Sequence, residues 1–295
     1  MKKITLYFIL ICLITLITGC RQNDHTQILA TTKPVHQFTA SLCEGTPLEV
    51  ELLVSENVSC LHDYSLSVSQ VKAVESAEVI VCSGAGLEDF LSDLLESSVK
   101  VDASAGISLL CTSHSHDHDD HAHHAHEDTQ EFDAHIWLSP ANASCMAKNI
   151  AAGLIDHYPQ HEQQIQNNLT VLLQNLDVLQ QYGQQTLSEL RSRDLITFHD
   201  GFSYFADSFD LHILEAVEEE SGSEASAREL IHLIEEVEHH QLPAIFTEKS
   251  GSVSAAGIIT REAGCLSFAQ DMAMAGDSYF DAMYHNINTV KEALE

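Results

Sequence analysis

The chain has 295 residues, of which 44 are acidic and 13 are basic, and its formal net charge at neutral pH is −31. Such an excess of carboxylates argues against binding to nucleic acid, which requires lysine and arginine to neutralise phosphates. It suits the attraction of small cations, although an acidic surface also simply keeps a protein soluble. A chain of this length can bury the core of two domains, and its 19 histidines are the most unusual feature of its composition.

The amino-terminal segment predicts export followed by lipid attachment. Two lysines precede an apolar run over residues 4–18, which is too short to span a bilayer securely. It leads into residues 17–20, Ile-Thr-Gly-Cys, which resemble the bacterial lipobox, where cleavage precedes a cysteine that becomes acylated. We expect a lipoprotein signal peptide over residues 1–19, a lipid anchor on Cys20 and a tether over residues 20–27, with an ordinary signal peptide or membrane anchor as the alternative. The mature protein would then lie outside the cytoplasmic membrane, attached to its surface.

Cysteine usage leaves disulfide formation open. Six cysteines lie beyond the export signal and would enter an oxidising compartment, but their spacing selects no pairing. No Cys-x-x-Cys pair occurs, which argues against a thiolate zinc site. The six are Cys43, Cys60, Cys82, Cys111, Cys145 and Cys265.

Strand and helix patterns alternate over residues 28–158 and predict a first α/β lobe. Residues 28–30 and 48–54 are apolar segments typical of strands. A Ser-x-x-Gln capping box that begins at Ser67 predicts the start of a helix. The segment 77–82, which is apolar except for Glu78, is typical of a central strand in a parallel sheet.

Residues 112–131 interrupt this order with a low-complexity segment that contains no apolar residue larger than alanine. Such a segment cannot pack into a core, so we expect a mobile loop. The loop either collects metal weakly and passes it inward or is a tolerated insertion with incidental affinity. Its seven histidines are His114, His116, His118, His121, His123, His124 and His126.

The longest helical pattern lies over residues 160–191, within a predicted linking segment over residues 159–192. This helix would be roughly 48 Å long, although an ordinary amphipathic surface helix would show the same pattern. The β/α alternation resumes over residues 193–295. We therefore expect an α/β fold of two lobes with parallel sheets, joined by one long rigid helix, with the ligand site in the cleft between them. The strands expected in the second lobe are Leu195–Phe198, Leu211–Val217, Ala244–Thr247 and Leu266–Ala269.

Three histidines and one aspartate lie within or just after apolar, strand-like segments, two in each lobe. Ligand sites in open α/β sheets lie beyond the carboxyl ends of the strands, so the four can converge in one cleft. Three neutral imidazoles and one carboxylate suit a tetrahedral Zn²⁺, whereas Mn²⁺, Mg²⁺ and Ca²⁺ prefer more oxygen ligands. Taken singly, each histidine also fits an ordinary core or surface position. The four are His62, His135 (within the apolar segment 132–138), His199 and Asp271.

Several segments resemble one known family. Residues 61–64, Leu-His-Asp-Tyr, resemble the family's Pro-His-Asp-Tyr, and residues 82–88 resemble its Asn-Gly-Ala-Gly-Leu-Glu. Residues 133–140, Asp-Ala-His-Ile-Trp-Leu-Ser-Pro, resemble Asp-Pro-His-Ile-Trp-Leu-Asp-Pro, and residues 198–205 resemble Ser-His-Asp-Ala-Phe-Gly-Tyr-Phe. The family is that of the cluster A-I substrate-binding proteins of metal ABC importers, in its zinc-binding, ZnuA/AdcA-like branch, and the resemblance covers residues 27–295.

The resemblance implies a binding protein, not an enzyme, that captures Zn²⁺ as cargo and delivers it to the membrane permease of an ABC importer. It implies metal coordination by His62, His135 and His199, and a long rigid helix between the lobes. Manganese-binding members usually carry glutamate at the third position, so His199 and the histidine-rich loop favour zinc over manganese or iron. We also expect a monomer.

The fourth ligand stays open. The sequence Ala-Gln-Asp-Met around Asp271 departs from the family's Leu-Asp-Pro-Leu, so Glu248 or a water could supply the fourth ligand instead. Asp63 and Asp200 each follow a candidate ligand histidine, and each either orients the imidazole or caps a loop.

Two functions of other classes fit less well. A secreted zinc hydrolase would keep an open coordination position beside a general base, but neither His-Glu-x-x-His nor Gly-x-Ser-x-Gly occurs in the chain. A surface adhesin would be expected to carry a cell-binding module, and the sequence adds none to the two lobes, so adhesion would be a secondary role.

Overall fold

The computed structural model describes residues 26–55, 61, 64–95, 99–111, 132–217, 226–249, 254–274, 276 and 278–295. Within these ranges the chain forms two lobes, each built on a four-stranded parallel sheet with helices packed against it, as predicted. The signal peptide, Cys20 and the histidine-rich loop fall outside the described residues. In the described ranges, no helix is long and apolar enough to cross a membrane.

The first lobe has its two most buried strands at the centre of its sheet. Its strands are β1 (Ile28–Ala30), β2 (Val50–Leu52), β3 (Val79–Cys82) and β4 (Val99–Asp102), and its helices are α1 (Lys33–Cys43), α2 (Val68–Ser76), α3 (Ser92–Leu95) and α4 (Pro140–His157). The strand order is β2-β1-β3-β4, and all neighbours are parallel. Every residue of β1 and β3 is buried, because helices cover both faces of a parallel sheet.

The predicted capping box at Ser67 is confirmed. The hydroxyl of Ser67 accepts a hydrogen bond from the backbone N–H of Gln70 at 3.4 Å, and the Gln70 side chain accepts one from the Ser67 N–H at 2.9 Å. Gln70 also donates to the hydroxyl of Tyr64 at 2.6 Å. Gln70, in the first turn of α2, therefore holds Tyr64, which lies two residues after His62 in the sequence.

The described cysteines are free thiols. Cys43, Cys82, Cys111, Cys145 and Cys265 form no disulfide. Cys82 is fully buried in β3, as expected for a cysteine that acts as a small apolar residue. Burial raises the pKa of its thiol.

The linking helix is shorter than the sequence indicates. A 3₁₀ turn over Pro159–His161 leads into α5 (Glu162–Thr186), whose 25 residues span about 38 Å. The prediction that the helix continues to residue 191 is wrong, because the chain turns at Leu187. The guanidinium of Arg193 donates to the carbonyl oxygens of Leu187 and Ser188 at 3.1 and 3.4 Å and so satisfies groups that a longer helix would have used.

The second lobe repeats the architecture of the first. Its strands are β5 (Asp194–Thr197), β6 (His212–Ala216), β7 (Ala244–Glu248) and β8 (Leu266–Gln270), and its helices are α6 (Ser203–Ser208), α7 (Ala227–His240), α8 (Ser254–Ala263) and α9 (Tyr279–Leu294). The sheet order is β6-β5-β7-β8 with parallel neighbours. The carboxyl ends of β5, β7 and β8 therefore lie side by side at one edge of the sheet.

One apolar core runs through both lobes. It includes the central strands of the first sheet, the buried face of α5, part of the second sheet and α9. A smaller cluster lies beneath α7 and α8. At the boundary, the ring of Phe38 in α1 packs edge-on against Tyr279 in α9, with centroids 4.9 Å apart, and the Tyr279 N–H donates to Gln37 at 2.6 Å. The two lobes thus share buried surface as well as a linking helix.

A buried carboxylate ties together the loops that follow β1 and β3. Glu88 accepts hydrogen bonds from the Thr31 hydroxyl and the Ser83 N–H, both at 2.6 Å, and from the Gly84 N–H at 2.9 Å. Burial raises the pKa of the Glu88 carboxyl, and the bonds from Thr31, Gly84 and Ser83 act in the opposite direction. Glu88 therefore satisfies donors that would otherwise be buried without a partner.

We expect Glu88→Ala to lower the free energy of unfolding by about 3 kcal/mol or more, because buried donors would lose their acceptor. Urea denaturation at neutral pH measures the loss. The matched control is Glu75→Ala on the exposed face of α2, which should change stability by less than about 0.5 kcal/mol. Equal effects of the two substitutions would contradict this role for Glu88.

Candidate metal centre

The local structure around His135 differs from the expected strand. Phe132 makes only an isolated antiparallel bridge to Cys111, and residues Ile136–Leu138 form a 3₁₀ turn. His135 is the residue that immediately precedes this turn. The apolar character of the segment reflects burial between the lobes rather than membership of a sheet.

Two of the predicted ligands lie in direct contact across the cleft. The Nε2 atoms of His135 and His199 are 3.3 Å apart, and their rings meet edge-on with centroids 5.0 Å apart. With Zn–N bonds of about 2.0–2.1 Å and tetrahedral angles, two imidazole ligands on one Zn²⁺ have nitrogens about 3.3–3.4 Å apart. The observed separation therefore equals one edge of a zinc coordination tetrahedron.

Asp133 fixes the orientation of the His135 ring. Its Oδ1 accepts hydrogen bonds from Nδ1 and from the backbone N–H of His135, both at 2.8 Å. Burial raises the pKa of Asp133, but the bonds from His135 and Ser203 outweigh it and leave the pKa below its ordinary value. An ionised Asp133 keeps the proton of His135 on Nδ1, so the lone pair on Nε2 points towards His199.

Sequence reasoning missed Asp133 and named Asp63 and Asp200 instead. Asp63 lies outside the described residues, and Asp200 is buried next to His199 in the chain. The signal for Asp133 was available in the Asp-x-His spacing of the 133–140 segment, since an aspartate at that spacing can reach both the N–H and the ring of the histidine.

Glu248 ends β7 and is the carboxylate close to the other imidazole. Its Oε2 lies 3.8 Å from Nδ1 of His199, and its side chain is 6% exposed, against 18% for that of His199. At this distance it can orient the ring, or it can move to the metal as the alternative fourth ligand.

Asp271 is already engaged by neighbouring groups. Its Oδ2 accepts from Nζ of Lys249 at 3.0 Å, and its Oδ1 accepts from the backbone N–H of Ala273 at 2.8 Å. In the described part of the chain, neither Asp271 nor Glu248 forms with the two imidazoles a group of three donor atoms within 4.8 Å of one another. His62, the remaining predicted ligand, lies outside the described residues.

The indole ring of Trp137 packs against one ring of the imidazole pair. Trp137 is fully buried, and its ring lies edge-on to His135 with centroids 5.3 Å apart. Its Nε1 donates to the carbonyl oxygen of Met272 at 2.8 Å. Gly201 leaves the necessary space, because a Cβ at that position would lie 2.7 Å from the ring of His199 and 2.8 Å from that of His135.

The family model described as zinc-uptake complex component A, periplasmic (ZnuA) matches residues 28–293. The chain belongs to this family. This confirms the resemblance carried by the sequence segments around the three histidines. Among relatives of the ZnuA family, the zinc-binding lipoprotein AdcA of Streptococcus pneumoniae serotype 4 is 26% identical and covers 100% of this chain. The chain spans 62% of the length of that relative.

The fold is likewise that of solved ZnuA structures. The crystal structure of a 138–173 deletion mutant of ZnuA with zinc bound is 27% identical, covers 92% of this chain and 99% of its own, and superposes with a TM-score of 0.77. A manganese-bound periplasmic metal-binding protein from Candidatus Liberibacter asiaticus has a TM-score of 0.79 at 18% identity, covering 92% of this chain and 100% of its own. The fold is therefore shared by proteins that bind different metals, so the choice of metal depends on the ligand residues and not on the fold.

We expect Asp133→Ala to weaken zinc binding by about 10–100-fold, because His135 would lose the acceptor that fixes its tautomer. Competition with a chromophoric chelator measures the affinity. Asp194→Ala is the matched control, because Asp194 pairs with the exposed His212 at 3.4 Å, remote from the cleft. An affinity of Asp133→Ala equal to that of the control would show that Asp133 does not act on the metal site.

Proposed function

We propose that this chain captures Zn²⁺ outside the cytoplasmic membrane and delivers it to the membrane permease of an ABC importer. The observation that carries the proposal is the pair of imidazole nitrogens of His135 and His199, which lie 3.3 Å apart, at the spacing of two ligands on one zinc ion. The family description as a component of a zinc-uptake complex and the name of the AdcA relative support it.

We propose His62, His135 and His199 as ligands of the cargo metal. A set of three imidazoles suits Zn²⁺, whereas Mn²⁺ prefers more oxygen ligands. Glu248 or a water is better suited to the fourth position than Asp271, because Asp271 would first have to leave Lys249. A protein that must release its cargo also benefits from a ligand that exchanges readily.

A binding role accounts for these features better than catalysis does. A zinc hydrolase needs a carboxylate base beside a metal-bound water. Here Asp133 is bonded to His135, and Asp271 is bonded to Lys249. Glu248 lies beside Nδ1 of His199, where it orients that ring or serves as the fourth ligand. None of the three is left to accept a proton from a water in the cleft, so we propose a protein that binds and releases zinc without transforming a substrate.

We expect His199→Ala and His135→Ala each to weaken zinc binding by about 100-fold or more, beyond what loss of an orienting carboxylate would cost. His212→Ala, which removes an exposed imidazole in the same lobe, should leave the affinity unchanged. Since a free imidazole has a pKa of about 6.5, protons compete with the metal, and affinity should fall steeply from about pH 7 to 5 with more than one proton per ion. If His199→Ala binds zinc as tightly as the unaltered protein, the proposed site is wrong.

We also propose attachment to the membrane through a lipid on Cys20, on the basis of the lipobox-like residues 17–20. Cys20→Ala should shift the protein from the membrane fraction to the soluble fraction when it is expressed in a bacterial host, because the acyl chains supply the membrane affinity. Cys43→Ala, which removes a buried thiol, is the control. Unchanged partitioning of Cys20→Ala would show that another segment anchors the chain.

A further inference from the structure

A second cluster of metal-binding side chains lies at the carboxyl end of α7, outside the cleft. Glu236, His239 and His240 each offer one donor atom, and these atoms all lie within 4.8 Å of one another, which makes them the only such group in the described ranges. Nε2 of His240 is 3.4 Å from Oε2 of Glu236. The rings of His239 and His240 meet edge-on, with centroids 4.7 Å apart.

The helix itself brings these three side chains together. Residues three and four positions apart are neighbours on a helix surface, so Glu236 faces both histidines. The turn that carries them is fixed, because Val237 is buried and its carbonyl oxygen accepts from the Leu242 N–H at 3.0 Å. Gln241 adopts a left-handed conformation with φ of 54° and ends the helix. The donors therefore need little rearrangement to share one ion.

The electrostatic setting also favours a cation. The carboxyl end of a helix carries a partial negative charge, and Glu235 and Glu238 flank the cluster in the sequence. Both histidines are exposed and Glu236 is half-buried. An aqueous ion can reach the cluster without crossing the protein interior.

We propose that Glu236, His239 and His240 form a second, solvent-exposed site for a divalent transition-metal ion of the Zn²⁺ class. Two imidazole nitrogens and one carboxylate oxygen are the donors that Zn²⁺ accepts, whereas Mg²⁺ and Ca²⁺ require oxygen ligands. Three protein ligands leave one tetrahedral position to water. The site therefore binds less tightly than a closed site and exchanges its ion readily.

This cluster is separate from the cleft. Helix α7 ends just before β7, and β7 begins at Ala244 and ends at Glu248 beside His199. At about 3.3 Å per residue, the strand puts about 13 Å between its two ends. The α7 cluster thus lies at the opposite end of the second sheet and shares no ligand with the cleft, so it can be occupied whether or not the cleft holds zinc.

The test is residue-resolved footprinting of the mature full-length chain with diethyl pyrocarbonate, a reagent that modifies accessible imidazole nitrogens. Zn²⁺ is added in steps after one equivalent has been bound, and modification is read by peptide mass spectrometry. We expect His239 and His240 to become protected together, with one midpoint. His232, on the same helix and 3.5 Å from a single carboxylate of Glu215, should stay reactive.

Two single variants distinguish coordination of the ion by Glu236 from electrostatic attraction of the ion by nearby carboxylates. Glu236→Gln should raise the midpoint by about tenfold, equivalent to about 1.4 kcal/mol, because it removes a ligand and keeps the shape of the side chain. Glu235→Gln removes the same charge from the same turn but no ligand, so it should raise the midpoint only slightly. The double variant His239→Ala/His240→Ala should retain the affinity of the cleft, so failure here is distinguishable from failure of the uptake function. Protection of His239 and His240 no greater than that of His232, or equal midpoints for the two glutamine variants, would overturn the proposal.

Discussion

The arrangement of the cleft depends on the buried indole of Trp137. Its Nε1 donates to the carbonyl oxygen of Met272 in the second lobe, and its own carbonyl oxygen accepts from the hydroxyl of Tyr279 in α9, both at 2.8 Å. These bonds are buried, where an unpaired polar group would be costly. They fix the 3₁₀ turn that follows His135 against the lobe that carries His199. The continuous apolar core around them disfavours large rotations of one lobe against the other.

The proposed metal site in the cleft and the proposed site on α7 differ in their physical setting. In the cleft, His135 is buried and His199 is partly buried; Asp133 sets the tautomer of His135, and the ring of His199 approaches it at the spacing of a zinc tetrahedron. The α7 cluster sits in solvent, and one helical turn organises it. Burial strengthens electrostatic interactions and excludes competing water, so the cleft is suited to tight capture. The exposed cluster is suited to rapid exchange with the surrounding solution.

Much of the fold could be predicted because it rests on local patterns. The apolar residues 79–82 predict a strand covered on both faces, and the capping box at Ser67 specifies where α2 begins. The end of α5 at Thr186 could not be read in this way. Its apolar periodicity continues to residue 191, but the chain turns after Thr186, and the carbonyl groups of Leu187 and Ser188 accept from Arg193 instead of extending the helix. Such a contact depends on the tertiary fold, so local sequence patterns do not predict it.

For the site, the sequence by itself determined the donor types, because the histidines stand in recognisable segments, and imidazole chemistry favours zinc wherever they converge. The sequence predicted that His135 and His199, 64 residues apart, belong to one site, and their Nε2 atoms lie 3.3 Å apart. Only the tertiary structure decided what surrounds them. Lys249 and Asp271 pair because β7 and β8 are neighbours in the second sheet, while Glu248, one residue earlier, points to His199. Alternate residues of a strand face opposite sides, so which carboxylate faces the cleft depends on strand register and lobe packing, and neither is encoded in local sequence patterns.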